Sequence, residues 1–327
     1  MSGPLTSCFR AFVAAVGMLC AGGVSAAERY ALIVTGASGG PEYAEKYDAW
    51  RAQFVNILLE SFDYPADHIR VLAEDDSGGG GKATRENVRQ ALADLRRVVA
   101  KDDVVLLLLI GHGSGGEVDE AKFNLVGPDI GADEWETLVR PLAGRVVFVN
   151  TASGSFPFLK AIALRGRVVL TANDSAAQQF ETVFPEFFVK AFTDHAADLD
   201  KNGRVSIWEA FTFTSDGVRG WYESRGQLST ERPLLDDTGS GVGREAGTTE
   251  GLDGPVAQVT YLQPDAPIAD TGDSELTGLL RRRAELQSQL EELKARKPNM
   301  LPDDYDAALE ELLVELARVD RRIRSRS

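Results

Sequence analysis

Cysteine is almost missing from this sequence: its only two, Cys8 and Cys20, both fall near the start of the 327-residue chain. That start reads as a leader. Arg10 precedes an apolar run from Ala11 to Val24, interrupted by Gly17, Gly22 and Gly23, and Ser25-Ala26-Ala27 follows. Basic, then apolar, then small is the order of a secretory signal peptide. The run is shorter than the ~20 residues of a bilayer span, and Gly17-Met18-Leu19 ahead of Cys20 does not make a lipidation box. Residues 1–26 are therefore expected to be removed, with cleavage after Ala26 or Ala27 and a periplasmic or extracellular destination. A chain so processed has no disulfide, no thiolate metal ligand and no thiol nucleophile. Positive charge is the second scarcity. Losing Arg10 leaves 34 of the 35 basic residues against 50 acidic ones, which argues against nucleic acid or anionic membrane surfaces as partners and favours bound cations. No membrane span is expected in the mature chain.

What remains, about 300 residues, suffices for one substantial core and an appendage. From Tyr30 to about Phe192, β-branched apolar runs alternate with amphipathic segments, the pattern of a parallel sheet covered by helices on both faces. Strands are expected at Ala31 to Thr35, Ile69 to Ala73, Val104 to Ile110, Val146 to Asn150 and Val168 to Ala172. Helices are expected at Tyr43 to Phe62, Thr84 to Val99, Asp133 to Arg140 and Gly154 to Ala161. The run Val104 to Ile110 has no polar face and belongs at the centre of the sheet, so the residues after it stand where open α/β sheets build their sites. The domain is set at 27–235. The Gly-, Asp-, Thr- and Pro-rich stretch 236–273 reads as a linker with one strand at Val256 to Leu262. Residues 274–327 read as a helical hairpin, since Leu276, Leu279, Leu286, Leu290 and Leu293, then Leu309, Leu312, Leu316, Val319 and Ile323, keep a 3-4 spacing around the breakers Pro298, Asn299 and Pro302. Packing of its arms on each other or on the domain and self-association through 274–327 both stay open.

Two glycine-rich turns imitate nucleotide sites. Thr35-Gly36-Ala37-Ser38-Gly39-Gly40 follows a strand, but its closing position is Glu42, which repels a pyrophosphate. Gly78 to Lys82 lacks both the entry glycine, replaced by Asp76, and the magnesium-binding hydroxyl, replaced by Ala83.

The chemistry lies in two other segments: Gly111-His112-Gly113-Ser114-Gly115-Gly116 after the central strand, and Asn150-Thr151-Ala152-Ser153-Gly154-Ser155 after the next. Their order and spacing resemble the legumain family within the caspase-like clan of cysteine peptidases, which carries His-Gly-Ser-x-Gly and then Ala-Cys-Glu-Ser-Gly-Ser. The resemblance runs from Tyr30 to about Phe192. It implies a caspase-like three-layer sandwich with a six-stranded, mainly parallel sheet. It also implies that His112 is the general base and the Gly113 amide an oxyanion donor, while Thr151 stands where the nucleophilic cysteine belongs. Ser38 takes the place of an asparagine that orients the histidine. Ser153 and Asn173 fall among the substrate-binding positions. A thiol with an ordinary pKa near ~8.5 gives a useful thiolate beside histidine, whereas an alcohol must lose its proton during attack. His68 and His195 have no comparable context and read as surface residues.

Asp198-Leu199-Asp200-Lys201-Asn202-Gly203-Arg204-Val205-Ser206-Ile207-Trp208-Glu209 fits an EF-hand loop, with helices expected at Glu186 to Ala197 and Ser206 to Ser224. Asp198, Asp200, Asn202, the Arg204 carbonyl, Ser206 and Glu209 hold the positions that ligate Ca²⁺. Asp236 to Gly241 has hydroxyls where acids belong and is not counted as a second loop. These readings converge on an exported pseudopeptidase that binds Ca²⁺ and a peptide or protein partner. A legumain-like endopeptidase using Thr151 with His112, and a scaffold acting through its hairpin, are the alternatives.

Overall fold

The computed structural model describes residues 27–76, 79–115, 120–247, 255–264, 273–297 and 300–325. The expected leader, Gly78, Gly116, Pro298 and Asn299 lie outside them. In chain order the elements are β1 (Arg29–Thr35), α1 (Pro41–Asn56), β2 (Ile69–Leu72), α2 (Arg85–Val98), β3 (Val104–Ile110), β4 (Gly113–Ser114), β5 (Lys122–Phe123), β6 (Ile130–Gly131), α3 (Ala132–Val139), β7 (Arg145–Asn150), α4 (Phe156–Ile162), β8 (Val168–Thr171), α5 (Phe184–Ala191), α6 (Ile207–Glu223), β9 (Leu234–Asp236), α7 (Pro255–Gln258), α8 (Ser274–Arg296) and α9 (Pro302–Arg324).

A six-stranded sheet has the order β2-β1-β3-β7-β8-β9. Its first five strands are parallel and β9 runs antiparallel to β8. Strand β3 holds its inner position because it can bury both faces. Leu106, Leu108 and Ile110 join Ala31, Ile33, Val147 and Val149 under α1, α5 and α6. Val105, Leu107 and Leu109 join Leu32, Val34, Val146 and Phe148 under α2, α3 and α4. Each fully buried leucine of β3 contributes roughly 2 kcal/mol, so a charge at any of them would break the sandwich. Small capping choices set where the helices begin. The Thr84 hydroxyl accepts from the Asn87 amide at the start of α2, α1 opens on Pro41, and Ser206 with Glu209 forms a reciprocal capping box on α6.

An edge strand spans the boundary expected at 235. Leu234 to Asp236 pairs with Val169 to Thr171 as the edge strand, and Asp236 and Asp237 are buried. Asp236 folds the following glycine-rich turn around its carboxylate, accepting from the amides of Thr238, Gly239 and Gly241. The strand expected at Val256 to Leu262 is instead the short helix α7, followed by a single antiparallel bridge from Ser206 to Tyr261. Asp237 accepts from the Ala257 amide and so ties this helix to the sheet edge. The helix expected to run from Glu186 to Ala197 stops at Ala191; Asp194 then caps a separate 3₁₀ turn, His195–Ala197. His68 is half-buried rather than a free surface residue, stacked 4.2 Å from Tyr30.

Helices α8 and α9 pack on each other through Leu279, Leu286, Val319 and Ile323. Arg322 in the last turn of α9 pairs with Glu275 in the first turn of α8 at 3.0 Å, so the two run antiparallel.

Candidate functional site

The carboxyl ends of β1, β3, β7 and β8 bring together the loops that carry Ser38, His112, Thr151 and Asn173. His112 is half-buried between two rings of α1, Tyr43 at 4.8 Å and Tyr47 at 5.5 Å between centroids. Its Nε2 lies 3.0 Å from the Ser38 carbonyl. A carbonyl only accepts, so Nε2 donates to it. The Tyr47 hydroxyl closes the ring edge between the two nitrogens, 3.1 Å from Nε2 and 3.3 Å from Nδ1. Burial, with Glu181 and Tyr43 adding, pushes the Tyr47 phenol well above its ordinary pKa and keeps it a donor. Both imidazole nitrogens are thus engaged inside the protein. Ser38 acts through its backbone, and its own amide donates to Glu74 Oε2 at 3.2 Å.

Thr151 is fully buried. Its Oγ1 donates to the Leu109 carbonyl at 2.8 Å, capping the end of β3, while the Thr151 carbonyl accepts from Thr182 Oγ1 at 2.5 Å. Gly113 stands against Ser153: its amide donates to Ser153 Oγ at 3.2 Å, and Ser153 Oγ donates to the Gly113 carbonyl at 3.3 Å. No side chain fits at Gly113, because a Cβ there would lie 2.0 Å from the Ser153 carbonyl oxygen. Asn173, also fully buried, spends its amide on the same loop. Its Nδ2 donates to the Ala152 carbonyl at 3.3 Å, and its Oδ1 accepts from Ser155 Oγ at 3.2 Å and the Phe156 amide at 3.3 Å.

Residues 174–182, between β8 and α5, cross over this cluster. Gln179 Nε2 donates to the Gly115 carbonyl at 2.7 Å. Lys46 on α1 pairs with Glu181 at 2.9 Å. A cavity of about 200 Å³ opens beside Ser38 and Tyr47, the two groups that hold His112, and is lined also by Thr35, Asp48, Glu74 and Asp75. Tyr43, Lys46, Tyr47, Gln179 and Glu181 were not anticipated from sequence. Only the i,i+4 spacing of Tyr43 and Tyr47 on α1 could have signalled an aromatic wall, and nothing local tied it to His112.

The second cluster is the loop between α5 and α6. Carboxylate oxygens of Asp198, Asp200 and Glu209 lie within 4.8 Å of one another. Asp198 accepts from the amides of Asn202 and Gly203 at 3.0 and 2.9 Å, Asp200 from Asn202 at 3.0 Å, and the Asn202 side chain from the Arg204 amide at 2.8 Å. Lys201 takes a left-handed φ of 58° and Gly203 one of 85°, which wraps the chain around the carboxylates. Burial raises the Asp200 carboxyl pKa, Glu209 and Asp198 add to the rise, and the Asn202 amides oppose it. Ser206 Oγ donates to Glu209 Oε2 at 2.8 Å within the capping box. The loop's outer edge is braced by the tail of the domain: the Ile207 amide donates to the Thr260 carbonyl at 2.9 Å, and the Arg204 guanidinium stacks 3.8 Å from the Tyr261 ring.

No family model matches the chain, and no curated protein does. Among solved structures, a protein from Geobacter sulfurreducens is similar at 15% identity over 68% of this chain and 95% of that one, with a TM-score of 0.42. The caspase drICE is similar at 10% identity over 65% of this chain and 88% of its own, with a TM-score of 0.37. Raptor from Chaetomium thermophilum shares 12% identity over 89% of this chain and 29% of that one, with a TM-score of 0.34.

Proposed function

We propose that this chain is an exported, non-proteolytic relative of caspase-like peptidases, which binds Ca²⁺ at Asp198 to Glu209 and a peptide or protein partner at the His112 cleft. One observation carries the reading: every group the peptidase chemistry would need is already satisfied internally. The His112 nitrogens face Ser38 and Tyr47, the Thr151 hydroxyl is bound to Leu109, and the Gly113 amide is taken by Ser153. A general base needs a free nitrogen within hydrogen-bond reach of the nucleophile, and an oxyanion hole needs a free donor. The strap at Gln179 and Glu181 crosses the same cleft. Carboxylates gathered on a tight, amide-lined turn with Glu209 at its last position supply the hard oxygen donors Ca²⁺ takes.

The test is incubation of the processed protein with an untargeted peptide library, read by mass spectrometry. No cleavage is expected from wild type or from Thr151→Ala. Cleavage by wild type that disappears in Thr151→Ala and in His112→Ala would make this an active peptidase and end the proposal.

A further inference from the structure

We infer that the chain is processed at the Ala27–Glu28 bond and that the amino group freed there seats on Asp103. The inference rests on the export reading and deepens it. Two bonds satisfy the small-residue rule for leader cleavage: the one after Ala26, with Val24 two residues before it, and the one after Ala27, with Ser25 in that place. The fold distinguishes them. Asp103, immediately ahead of β3, is only 5% exposed. Its Oδ2 accepts from the Ala100 amide at 2.7 Å, and its Oδ1 accepts from the Glu28 nitrogen at 2.9 Å. The Glu28 carbonyl in turn accepts from the Val104 amide at 2.9 Å, so Glu28 is fixed on both sides of its Cα. Ala27 before it is exposed.

Among the described residues no Lys or Arg pairs with Asp103, so this buried carboxylate sits without a counter-charge. Burying a charge is costly unless it is paired. A leader peptidase supplies the missing charge. Water adds across the Ala27–Glu28 bond, the C–N bond breaks, the hydroxyl stays on the Ala27 carboxyl group, and the Glu28 nitrogen leaves as an amine. With an ordinary pKa of about 7.7–8.0, that amine takes a further proton from solvent at neutral pH. The same nitrogen that bonds Asp103 as an amide then bonds it as an ammonium, a charge-assisted pair. Cleavage one bond earlier leaves the ammonium on Ala27, in solvent, and Asp103 with an amide only. Asp103 thereby acts as a socket that makes the processed chain more stable than its precursor.

The experiment compares three otherwise identical chains: one beginning at Glu28, one beginning at Ala27, and one beginning at an acetylated Glu28. The first is expected to melt about 3 °C above the other two, and the three to melt together in an Asp103→Asn background. A second readout needs no variant. At pH 7 the Glu28 amine should react with an amine-selective acylating reagent roughly tenfold more slowly than the Ala27 amine, because a charge-assisted bond to Asp103 holds it as the unreactive ammonium. Equal melts with equal acylation rates would overturn the socket. Protein recovered from the periplasm or medium of an expressing bacterium should begin at Glu28. A start at Ala27 would overturn the processing point, and a chain that keeps residues 1–26 would overturn the export reading while leaving the melting comparison of the purified chains intact.

Discussion

At the scale of single residues, the site turns on partners that lie far away in sequence. His112 and Thr151 could be picked out because their loops follow two apolar strands that are neighbours in the sheet. What they do was not legible, since Tyr47 is 65 positions from His112 and a backbone carbonyl such as that of Leu109 has no sequence signature at all. Glu231 shows the same blindness. It lies in a stretch that looks like an ordinary loop, yet it is 2% exposed and caps the start of α5, accepting from the amides of Val183 and Phe184 at 2.8 and 3.0 Å and from the Tyr222 hydroxyl at 3.0 Å. Burial pushes its carboxyl up to about 7, against the opposing pull of those three donors. The folded pKa is raised above the unfolded one, so this group's contribution is fully present below the ordinary carboxylate pKa and is lost as pH rises through about 7. The protein is therefore expected to lose on the order of 3 kcal/mol between pH 4.5 and pH 7.5 from this site. Glu231→Gln should flatten that portion of the profile, measured by urea unfolding across the range. An unchanged slope in the variant would remove Glu231 as its source.

Among the elements, the five parallel strands were readable to within two residues because each is rich in β-branched residues or leucine. The sixth was not, because β9 is three residues long, follows Pro233 and leads into an Asp- and Gly-rich turn, and that composition alone reads as linker. The β-branched and aromatic residues Val256, Val259, Thr260 and Tyr261 suit a strand by propensity, but Pro255 starts a helical turn and Asp237 fixes it, so tertiary contact overrides the local preference. The acidic loop is the reverse case: the three carboxylates that the structure gathers, Asp198, Asp200 and Glu209, were legible because they come from one short segment. If it binds Ca²⁺, saturation at 100 times the Kd stabilises the fold by about 2.7 kcal/mol, a rise in melting temperature of about 5 °C. Asp198→Asn and Glu209→Gln are the informative variants. Each removes charge from the cluster and keeps one of the two oxygens through which the carboxylate now accepts from backbone amides. Both should melt alike with calcium and with chelator. A wild type equally indifferent to calcium would show that the loop is held by its own hydrogen bonds alone. Gly113→Ala tests the other site at this scale: with the Ser153 carbonyl 2.0 Å from the added carbon, the turns after β3 and β7 must separate, at a cost of about 3 kcal/mol.

At the scale of the whole molecule, the described residues form three apolar cores of unequal depth. The two flanking the sheet hold nearly all the fully buried side chains. The third, between α8 and α9, is built among the described residues on Leu279, Leu286, Val319 and Ile323, with Leu276, Leu280, Leu312 and Leu316 packed partly buried against them, a small core for two helices of 23 residues each. Both helices are long enough to be helical only with support, since isolated helices are marginal in water, and the support here is mostly mutual. Asp273 caps α8 by accepting from the Glu275 and Leu276 amides. The Arg322–Glu275 pair closing the far end is solvent-exposed, and such pairs contribute about 0–1 kcal/mol. Local stability follows the number of buried apolar contacts, so the hairpin should open well before the sheet. In native-state hydrogen exchange, amides of α8 and α9 are expected to exchange at least a hundredfold faster than those of β3, a gap of about 2.7 kcal/mol in opening free energy. A chain ending at residue 272 should keep the main melting transition within about 2 °C of the full-length value, because among the described residues neither sheet core draws a buried residue from beyond Leu262. Equal protection in α8 and β3, or loss of the main transition on truncation, would show instead that the hairpin and the sandwich unfold as one cooperative unit.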